Sequence, residues 1–295
     1  MMNDTPRTFA ILGHPLGHTM SPPIHRRLFE LSGHPQSQYL IRDIAPQDLE
    51  REMPSLMALD GFNVTIPHKI PIMRYLDGLD DAAGRYQSVN VVEKRDGRFF
   101  GHNTDVDGFL RTMQAVGASL NGQVCLIGAG GVGRMFAIES VRQGAKLTIA
   151  VHPQNLEQTY ALREEILSQV DGACVSITTC QEVRGEFDVM INATPAGMYP
   201  HTHAMPIPRE ALSGTKLLFD CIYNPTETLL MKTARQMGIP VVGGMAMLVW
   251  QAVSAHEIWD NAHYASQQIE QLIQEMVQKV GADFPLPDAP AGGRV

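Results

Sequence analysis

Cysteine is scarce: there are four in 295 residues, and none stands in CxxC spacing. A thiolate zinc site or a dithiol redox centre therefore lacks its ligands. Cys125, Cys174, Cys180 and Cys221 are expected to be reduced core thiols, three of them in or beside apolar runs that read as buried strands. No stretch of about 18 apolar residues occurs, so no membrane-spanning helix is expected. The start, Met1-Met2-Asn3-Asp4-Thr5-Pro6-Arg7, lacks the basic and then apolar pattern of a secretion signal, and the expectation is a cytoplasmic protein. Positive charge is short as well. With 23 Lys and Arg against 31 Asp and Glu, the net charge is -8, which argues against nucleic acid as a partner. No internal repeat is present.

What is there describes a globular α/β chain. Hydrophobic residues make up 44% and charged residues 18% of it, and 295 residues exceed what one core usually supports, so two domains are expected. The middle alternates short apolar runs with longer amphipathic stretches, the pattern of a parallel sheet flanked by helices. Strands are expected at Val124–Ile127, Leu147–Val151, Cys174–Ile177, Asp188–Ile191, Leu217–Phe219 and Pro240–Val242. Between the first two, Val132, Met135, Ile138 and Val141 recur at helical steps, with Gly144 as the C-cap. The first hundred residues carry strand candidates at Thr8–Leu12, Gln38–Ile41, Phe62–Thr65 and Val89–Val92 and read as a separate α/β domain. Met245 to Val280 reads as one long helical stretch, and the Pro- and Gly-rich tail from Gly281 as disordered.

Gly128-Ala129-Gly130-Gly131-Val132-Gly133 follows the first strand of the βαβ unit and opens its helix. A dinucleotide site needs Gly128 for the tight turn, Gly130 so that backbone can approach the pyrophosphate, and Gly133 for close packing of helix on strand. The helix N-terminus then offers free N–H groups to the phosphates. The acid that would hold the ribose of NAD about 20 residues on is missing. The second strand ends Ala150-Val151-His152-Pro153-Gln154-Asn155, with no Arg to grip a 2′-phosphate. His152 either touches a phosphate or faces solvent. The cofactor is thus NAD or NADP, with NAD favoured.

Polar residues cluster in four segments near strand ends: Gly13-His14-Pro15-Leu16-Gly17-His18-Thr19-Met20-Ser21-Pro22, Asn63-Val64-Thr65-Ile66-Pro67-His68-Lys69, Ser88-Val89-Asn90 and Gly101-His102-Asn103-Thr104-Asp105. Lys69 beside Asp105 would make a pair able to pass a proton to or from a secondary alcohol, while the plainer alternative is a surface ion pair. His14, His18 and His68 lack ligand spacing and read as loop structure, with no metal expected. Met245-Ala246-Met247-Leu248 reads as core packing whose Met245 end borders the nicotinamide. Asp220 reads as a cap or loop anchor.

The ordered series resembles the shikimate dehydrogenase family, quinate/shikimate dehydrogenases included, from about Phe9 to Trp259. It comprises Gly13-x-Pro15-x-x-His18-Thr19-x-Ser21-Pro22-x-x-His25, Asn63-Val64-Thr65-x-Pro67-x-Lys69, Asn90, Gly101-x-Asn103-Thr104-Asp105, the glycine turn, Asn192-Ala193-Thr194-Pro195-x-Gly197-Met198, Asp220-x-x-Tyr223-x-Pro225-x-x-Thr228 and Gly244-Met245-x-Met247-Leu248-x-x-Gln251. The resemblance implies a substrate domain of residues 1–104 plus 245–280, a Rossmann-like NAD(P) domain of 105–244 with a parallel sheet, a tail of 281–295, and an active site in the cleft between the domains. It implies Lys69 and Asp105 as the catalytic pair. Thr19 and Ser21 would bind the substrate carboxylate, and Thr65, Asn90, Thr104, Asp105 and Gln251 its ring hydroxyls, with Tyr223 nearby. Gly128, Ala129, Gly130, Gly131, Val132, Gly133, His152, Thr194, Met198 and Gly244 would meet the cofactor.

The implied partner is a small polyhydroxylated ring acid, oxidised reversibly by a monomer or homodimer. Four stretches depart from the family pattern. Thr19 stands for Ser, Val91 for Thr, and Gln87-Ser88 for Gly-Ala. Val151-His152-Pro153 replaces the Asn-Arg-Thr phosphate clamp of NADP-dependent members, which supports NAD and hints at a paralogue. The alternatives to a dehydrogenase of shikimate or quinate are a paralogue acting on another small hydroxy acid and a cofactor-binding sensor without turnover.

Overall fold

The computed structural model describes residues 6–17 and 19–285. The chain divides into two compact units. One runs to Thr112 and takes in Met247–Met276; the other is Met113–Ala246 with residues from Val277 onward.

The first unit is built on β1 (Thr8–Gly13), α1 (Ser21–Leu31), β2 (Gln38–Asp43), α2 (Leu49–Met57), β3 (Gly61–Val64), β4 (Gly78–Leu79), α3 (Asp81–Tyr86), β5 (Val91–Arg95), β6 (Arg98–His102) and the start of α4 (Asp105–Ala115). Its sheet has the order β2-β1-β3-β5-β6-β4. β1 runs parallel to β2 and β3, while β5 is antiparallel to β3 and β6. The expected strands are all present; β4 and β6 are additional. β6 escapes a period-2 reading because Arg98-Phe99-Phe100-Gly101-His102 has no clean alternation, and Gly101 is needed where a Cβ would stand 2.6 Å from Leu76.

Alternation along β1 sends its side chains to two cores. Ala10 and Leu12 join Leu49, Met53 and Leu56 of α2. On the other face Phe9 packs at a tilt against Phe29, centroids 5.2 Å apart, and against Trp259, 4.6 Å apart. Trp259 donates from Nε1 to the Val92 carbonyl at 3.0 Å. The same core buries His25 against His256, Nδ1 to Nε2 3.1 Å.

The second unit holds β7 (Gln123–Ile127), α5 (Gly131–Arg142), β8 (Lys146–Val151), α6 (Leu156–Gln169), β9 (Cys174–Thr179), β10 (Val189–Asn192), β11 (Leu218–Asp220), α7 (Leu229–Gln236) and β12 (Val241–Gly243). Its six strands, in the order β12-β11-β10-β7-β8-β9, are all parallel. That order reverses direction between β7 and β10, at whose carboxyl ends ligands bind in such sheets. The chain is an α/β protein with a Rossmann-like parallel sheet.

Three expectations are corrected. The helical stretch from Met245 is broken: α8 (Met245–Asp260) and α9 (Ser266–Asp283) are separated at Asn261, whose left-handed φ of 49° ends the first helix. α9 carries the chain through Gly281 to Asp283, so the tail there is helical; residues 286–295 lie outside the described residues. Cys125 is a core thiol, but Cys174 is exposed because β9 is the edge strand of its sheet.

Gly61 makes the Trp259 bond possible, since a Cβ there would stand 2.6 Å from the indole nitrogen. Gly61→Ala is expected to cost about 1–3 kcal/mol by overpacking. Gly84, in the middle of α3 with nothing within 4 Å of its Cβ position, gives the opposite sign: Gly84→Ala should add about 0.4–1 kcal/mol. Urea unfolding of both variants checks the pair, and a neutral Gly61→Ala would disprove the packing argument.

Candidate active site

Lys69 follows β3 in a tight turn, with its carbonyl accepting from Val89 N at 2.9 Å. Its ammonium donates to Asp105 Oδ2 at 2.5 Å. Both side chains remain reachable, 25% and 16% exposed. Asp105 opens α4, held by the Asn103 side chain, which accepts from Asp105 N at 3.1 Å.

Asn90, buried just before β5, ties this pair to the rest of the unit. Its backbone bonds to both neighbouring segments, accepting from Val64 N at 2.8 Å and donating to the His102 carbonyl at 3.0 Å. Its Nδ2 lies 3.0 Å from Thr104 Oγ1, 3.0 Å from Asp105 Oδ1 and 3.2 Å from Gln251 Oε1. Two protons face three acceptors, so this amide cannot make a full bond to all three at once. Asn90 Oδ1 accepts from Thr104 N at 2.7 Å, and Thr104 Oγ1 donates to the Gln251 carbonyl at 3.0 Å. Thus Lys69, Asn90, Thr104, Asp105 and Gln251 are one connected set.

Thr19 and Ser21 sit at the N-terminus of α1. Ser21 N donates to Thr19 Oγ1 at 3.2 Å, and Pro22 and Pro23 remove the next two N–H groups. The anion-attracting end of this helix therefore presents hydroxyls rather than free amides. Thr65 N donates to the Leu12 carbonyl at 2.8 Å, and its methyl packs where a Gly13 Cβ would stand, so the loops after β1 and β3 touch. His14 holds Asp43 Oδ1 at 2.7 Å and His68 meets the Ile44 carbonyl at 2.6 Å; both histidines secure loops. His18 lies outside the described residues. Among the described residues no group of three or more His, Cys, Asp or Glu is arranged to hold a metal.

In the second unit the glycine turn meets the demands of a dinucleotide. Gly128 has φ 90° and donates to the Ala150 carbonyl at 2.9 Å. A Cβ at Gly133 would stand 2.4 Å from the Gly128 carbonyl oxygen, so only glycine lets α5 sit on the turn. Gly130 and Gly131 leave open space, and with Ala129 and Val132 they form the approach to the helix N-terminus. A pyrophosphate fits this cradle. His152 is exposed after β8, its Nδ1 accepting from Gln154 N at 3.3 Å. Thr194 packs its methyl against Gly128 while its hydroxyl donates to Asn192 Oδ1 at 2.7 Å. Met198 is exposed, Tyr223 is half-buried after β11, and Gly244 is required because a Cβ would strike the Cys221 carbonyl.

Two polar residues join the first unit's network without having been marked as site residues. Asn63 donates from Nδ2 to the Asn90 carbonyl at 3.3 Å, and its Oδ1 accepts from Tyr39 at 2.6 Å. The signal for Asn63 was a buried amide inside the apolar run Phe62-Asn63-Val64; Tyr39 gave none.

Residues 11–92 match the family described as the shikimate dehydrogenase substrate binding domain. The shikimate dehydrogenase (NADP(+)) of Shouchella clausii is 38% identical over 258 residues, which cover 86% of this chain and 92% of that one. The chain belongs to the shikimate dehydrogenase family. Two solved members of the family align over most of it. Shikimate 5-dehydrogenase from Thermus thermophilus, in complex with NADP(H) and shikimate, gives a TM-score of 0.82 at 29% identity, covering 92% of this chain and 99% of that one. The Listeria monocytogenes enzyme, in complex with shikimate and NAD, gives 0.82 at 26% identity, covering 91% and 96%.

This shikimate dehydrogenase family member carries buried titratable groups of opposite sign in its two units. In the first, burial holds His256 down to about 3, helped by the Arg7 and His34 charges. The unfolded chain takes that proton near pH 6.5, so stability there is full above about 6.5 and is lost as pH falls. In the second, burial pushes Asp220 up to about 6 against the hydrogen bonds it accepts. Its folded form keeps a proton that the unfolded chain releases near pH 4, so stability there rises as pH falls from about 6 to 4. Hydrogen exchange from pH 7 to 4.5, corrected for intrinsic rates, should show α1 and α8 loosening while β10 and β11 hold or tighten. Parallel loosening of both would contradict these assignments.

Proposed function

We propose that the chain catalyses reversible hydride transfer between a nicotinamide dinucleotide and the hydroxyl-bearing carbon of shikimate, forming the 3-dehydro ketone. The unit of residues 6–112 and 247–276 binds the substrate, and Met113–Ala246 binds the cofactor at the glycine turn. The observation that carries this is the 2.5 Å contact of Lys69 Nζ with Asp105 Oδ2, buttressed by the Asn90 amide. An ordinary surface ion pair has no such buried support.

When bound, the nicotinamide supplies the hydride acceptor or donor. The chain's own residues do the rest. In the reductive direction the Lys69 ammonium gives a proton to the carbonyl oxygen as hydride arrives; in oxidation Lys69 first releases a proton to solvent, and the resulting amine takes the hydroxyl proton, with Asp105 stabilising the ammonium form. Asn90, Thr104, Asp105 and Gln251 exchange their mutual bonds for bonds to ring hydroxyls, so that no polar group goes unpaired when the substrate leaves water. Thr19 and Ser21 donate hydroxyl protons to the carboxylate, and Thr65 borders the ring. Tyr223, Thr194, Met198 and Gly244 complete the cofactor and substrate surroundings.

Quinate, which differs at the ring carbon bearing the carboxylate, is the alternative substrate. NAD is the favoured cofactor. The Shouchella relative is named for NADP(+) and the Listeria structure holds NAD; in this chain His152 is the lone basic side chain in 151–155 and no Arg or Lys stands there. Every residue invoked belongs to one chain, so the reading requires no second copy. Among the described residues no helix is long and apolar enough to cross a membrane. The four cysteines are free, which suits a reducing compartment such as the cytoplasm.

Purified protein offered shikimate or quinate with NAD or NADP, followed by reduced-nicotinamide absorbance, should turn over shikimate, with higher kcat/KM for NAD. Lys69→Ala should lower kcat by about 10²–10⁴-fold and leave the cofactor Kd unchanged. His152→Arg should raise kcat/KM with NADP by about tenfold, through one charge-assisted bond to a 2′-phosphate. No turnover with any pairing would sink the dehydrogenase reading, and unaltered kcat in Lys69→Ala would remove Lys69 from the chemistry.

A further inference from the structure

Tyr39 has no assigned part in the proposed chemistry, yet its phenol ends in the network that holds Asp105. The residue stands in β2, and its ring lies flat on the buried His25 imidazole, centroids 4.1 Å apart and planes 6° from parallel. Stacking fixes the ring plane and thereby the direction of the phenol. The hydroxyl donates to Asn63 Oδ1 at 2.6 Å, and the Ser21 side chain meets the same phenol. One side chain thus contacts both ends of the proposed pocket.

The phenol's donation decides which way the Asn63 amide faces. With Oδ1 held by Tyr39, Nδ2 points to the Asn90 carbonyl at 3.3 Å. In the opposite orientation two oxygens would oppose each other at that carbonyl, and Asn63 is too buried for water to relieve them. Asn90 is the residue whose own amide reaches Asp105 Oδ1. The order of support is therefore Tyr39, Asn63, Asn90, Asp105 and finally Lys69, with all members in the same unit.

We propose that Tyr39 is a positioning residue for the Lys69–Asp105 pair, acting through Asn63 and Asn90. Its effect on turnover rests on the dehydrogenase reading above; its effect on the pair itself does not. Phenylalanine at this position keeps the volume and the stack on His25 but strands Asn63 Oδ1 without a donor. Asn63 then reorients, the Asn90 carbonyl keeps its bond from Val64 N but loses the one from Asn63, and Asp105 is held less firmly against the ammonium.

The test uses the full chain with Tyr39→Phe, Asn63→Ser and the double variant. Each single change should lower kcat by about tenfold, the size of one lost hydrogen bond, with KM for shikimate changed less than twofold. The double variant should match Asn63→Ser rather than multiply the two losses, because both remove one connection. A second readout needs no turnover: mass-spectrometric acetylation rates under native conditions should rise several-fold at Lys69 in Tyr39→Phe and stay constant at Lys94 and Lys216. If the unaltered protein fails to oxidise shikimate, the dehydrogenase reading falls, and the Lys69 rate still decides the role of Tyr39. Unchanged Lys69 labelling, uniformly faster labelling of all three lysines, or multiplicative losses in the double variant would each overturn the proposal.

Discussion

The side-chain amide of Asn90 is the joint on which the first unit's site depends. It is buried between the ends of β3 and β6, whose backbones it bonds to, and it projects two protons and one oxygen toward groups from two helices. α4 brings Asp105; α8, far along the chain, brings Gln251. Their approach requires Gly108, where a Cβ would lie 2.6 Å from the Met247 carbonyl. α8 is seated in turn by Trp259 on Val92 and by His256 on His25. The aromatic packing around Phe9 is thus what puts an amide oxygen within reach of Asn90.

The second unit contains the same arrangement with a different outcome. Asn192 donates from Nδ2 to Asp220 Oδ1 at 3.0 Å, and its Oδ1 accepts from Thr194 N at 3.0 Å and from the Thr194 hydroxyl. The parallel with Asn90, Thr104 and Asp105 extends to the atoms involved. Burial separates the two. Asp220 has no exposure and satisfies both oxygens internally, from Thr228 at 2.7 Å and from Ile222 N at 3.1 Å. It anchors the loop after β11, as its position at a strand end suggested. Asp105 keeps a partly open carboxylate and a cation beside it, which is the difference between a brace and a site for chemistry.

Legibility in the sequence followed the range of the interaction. The strands of the parallel sheet and the glycine turn are local patterns, and period and spacing were enough to find them. The Lys69–Asp105 pair spans 36 residues; spacing alone left a surface ion pair the better account, and the family resemblance supplied the choice. Tyr39 was invisible because its importance comes from a stack on a residue of α1 and a bond to a residue of β3, neither of which any run of sequence displays. The break at Asn261 was missed for a related reason: a single left-handed residue ends a helix without glycine or proline to announce it. Cys174 misled because edge position is a property of strand order, and strand order is settled by pairing across the whole sheet.

On the proposed dehydrogenase reading, the α1 terminus and the Asn90 network divide the work of substrate recognition. A helix of 11 residues would ordinarily greet an anion with several free N–H groups. Here Pro22 and Pro23 supply none and Ser21 N is already spent on Thr19 Oγ1, so what remains is the Thr19 hydroxyl proton, a Ser21 proton shared with the Tyr39 phenol, and the helix field. Neutral hydroxyl donors hold a carboxylate less firmly than Arg would. Discrimination must therefore come from the other end, where Asn90, Asp105 and Gln251 give up bonds to one another and recover them only from a ligand with hydroxyls in the right places. An analogue lacking one of those hydroxyls would leave a buried partner unpaired, a larger loss than a weakened carboxylate contact. On that reading the methyl that Thr19 adds beside the proposed carboxylate contact is for the same reason a smaller influence on substrate choice than any change at Asn90.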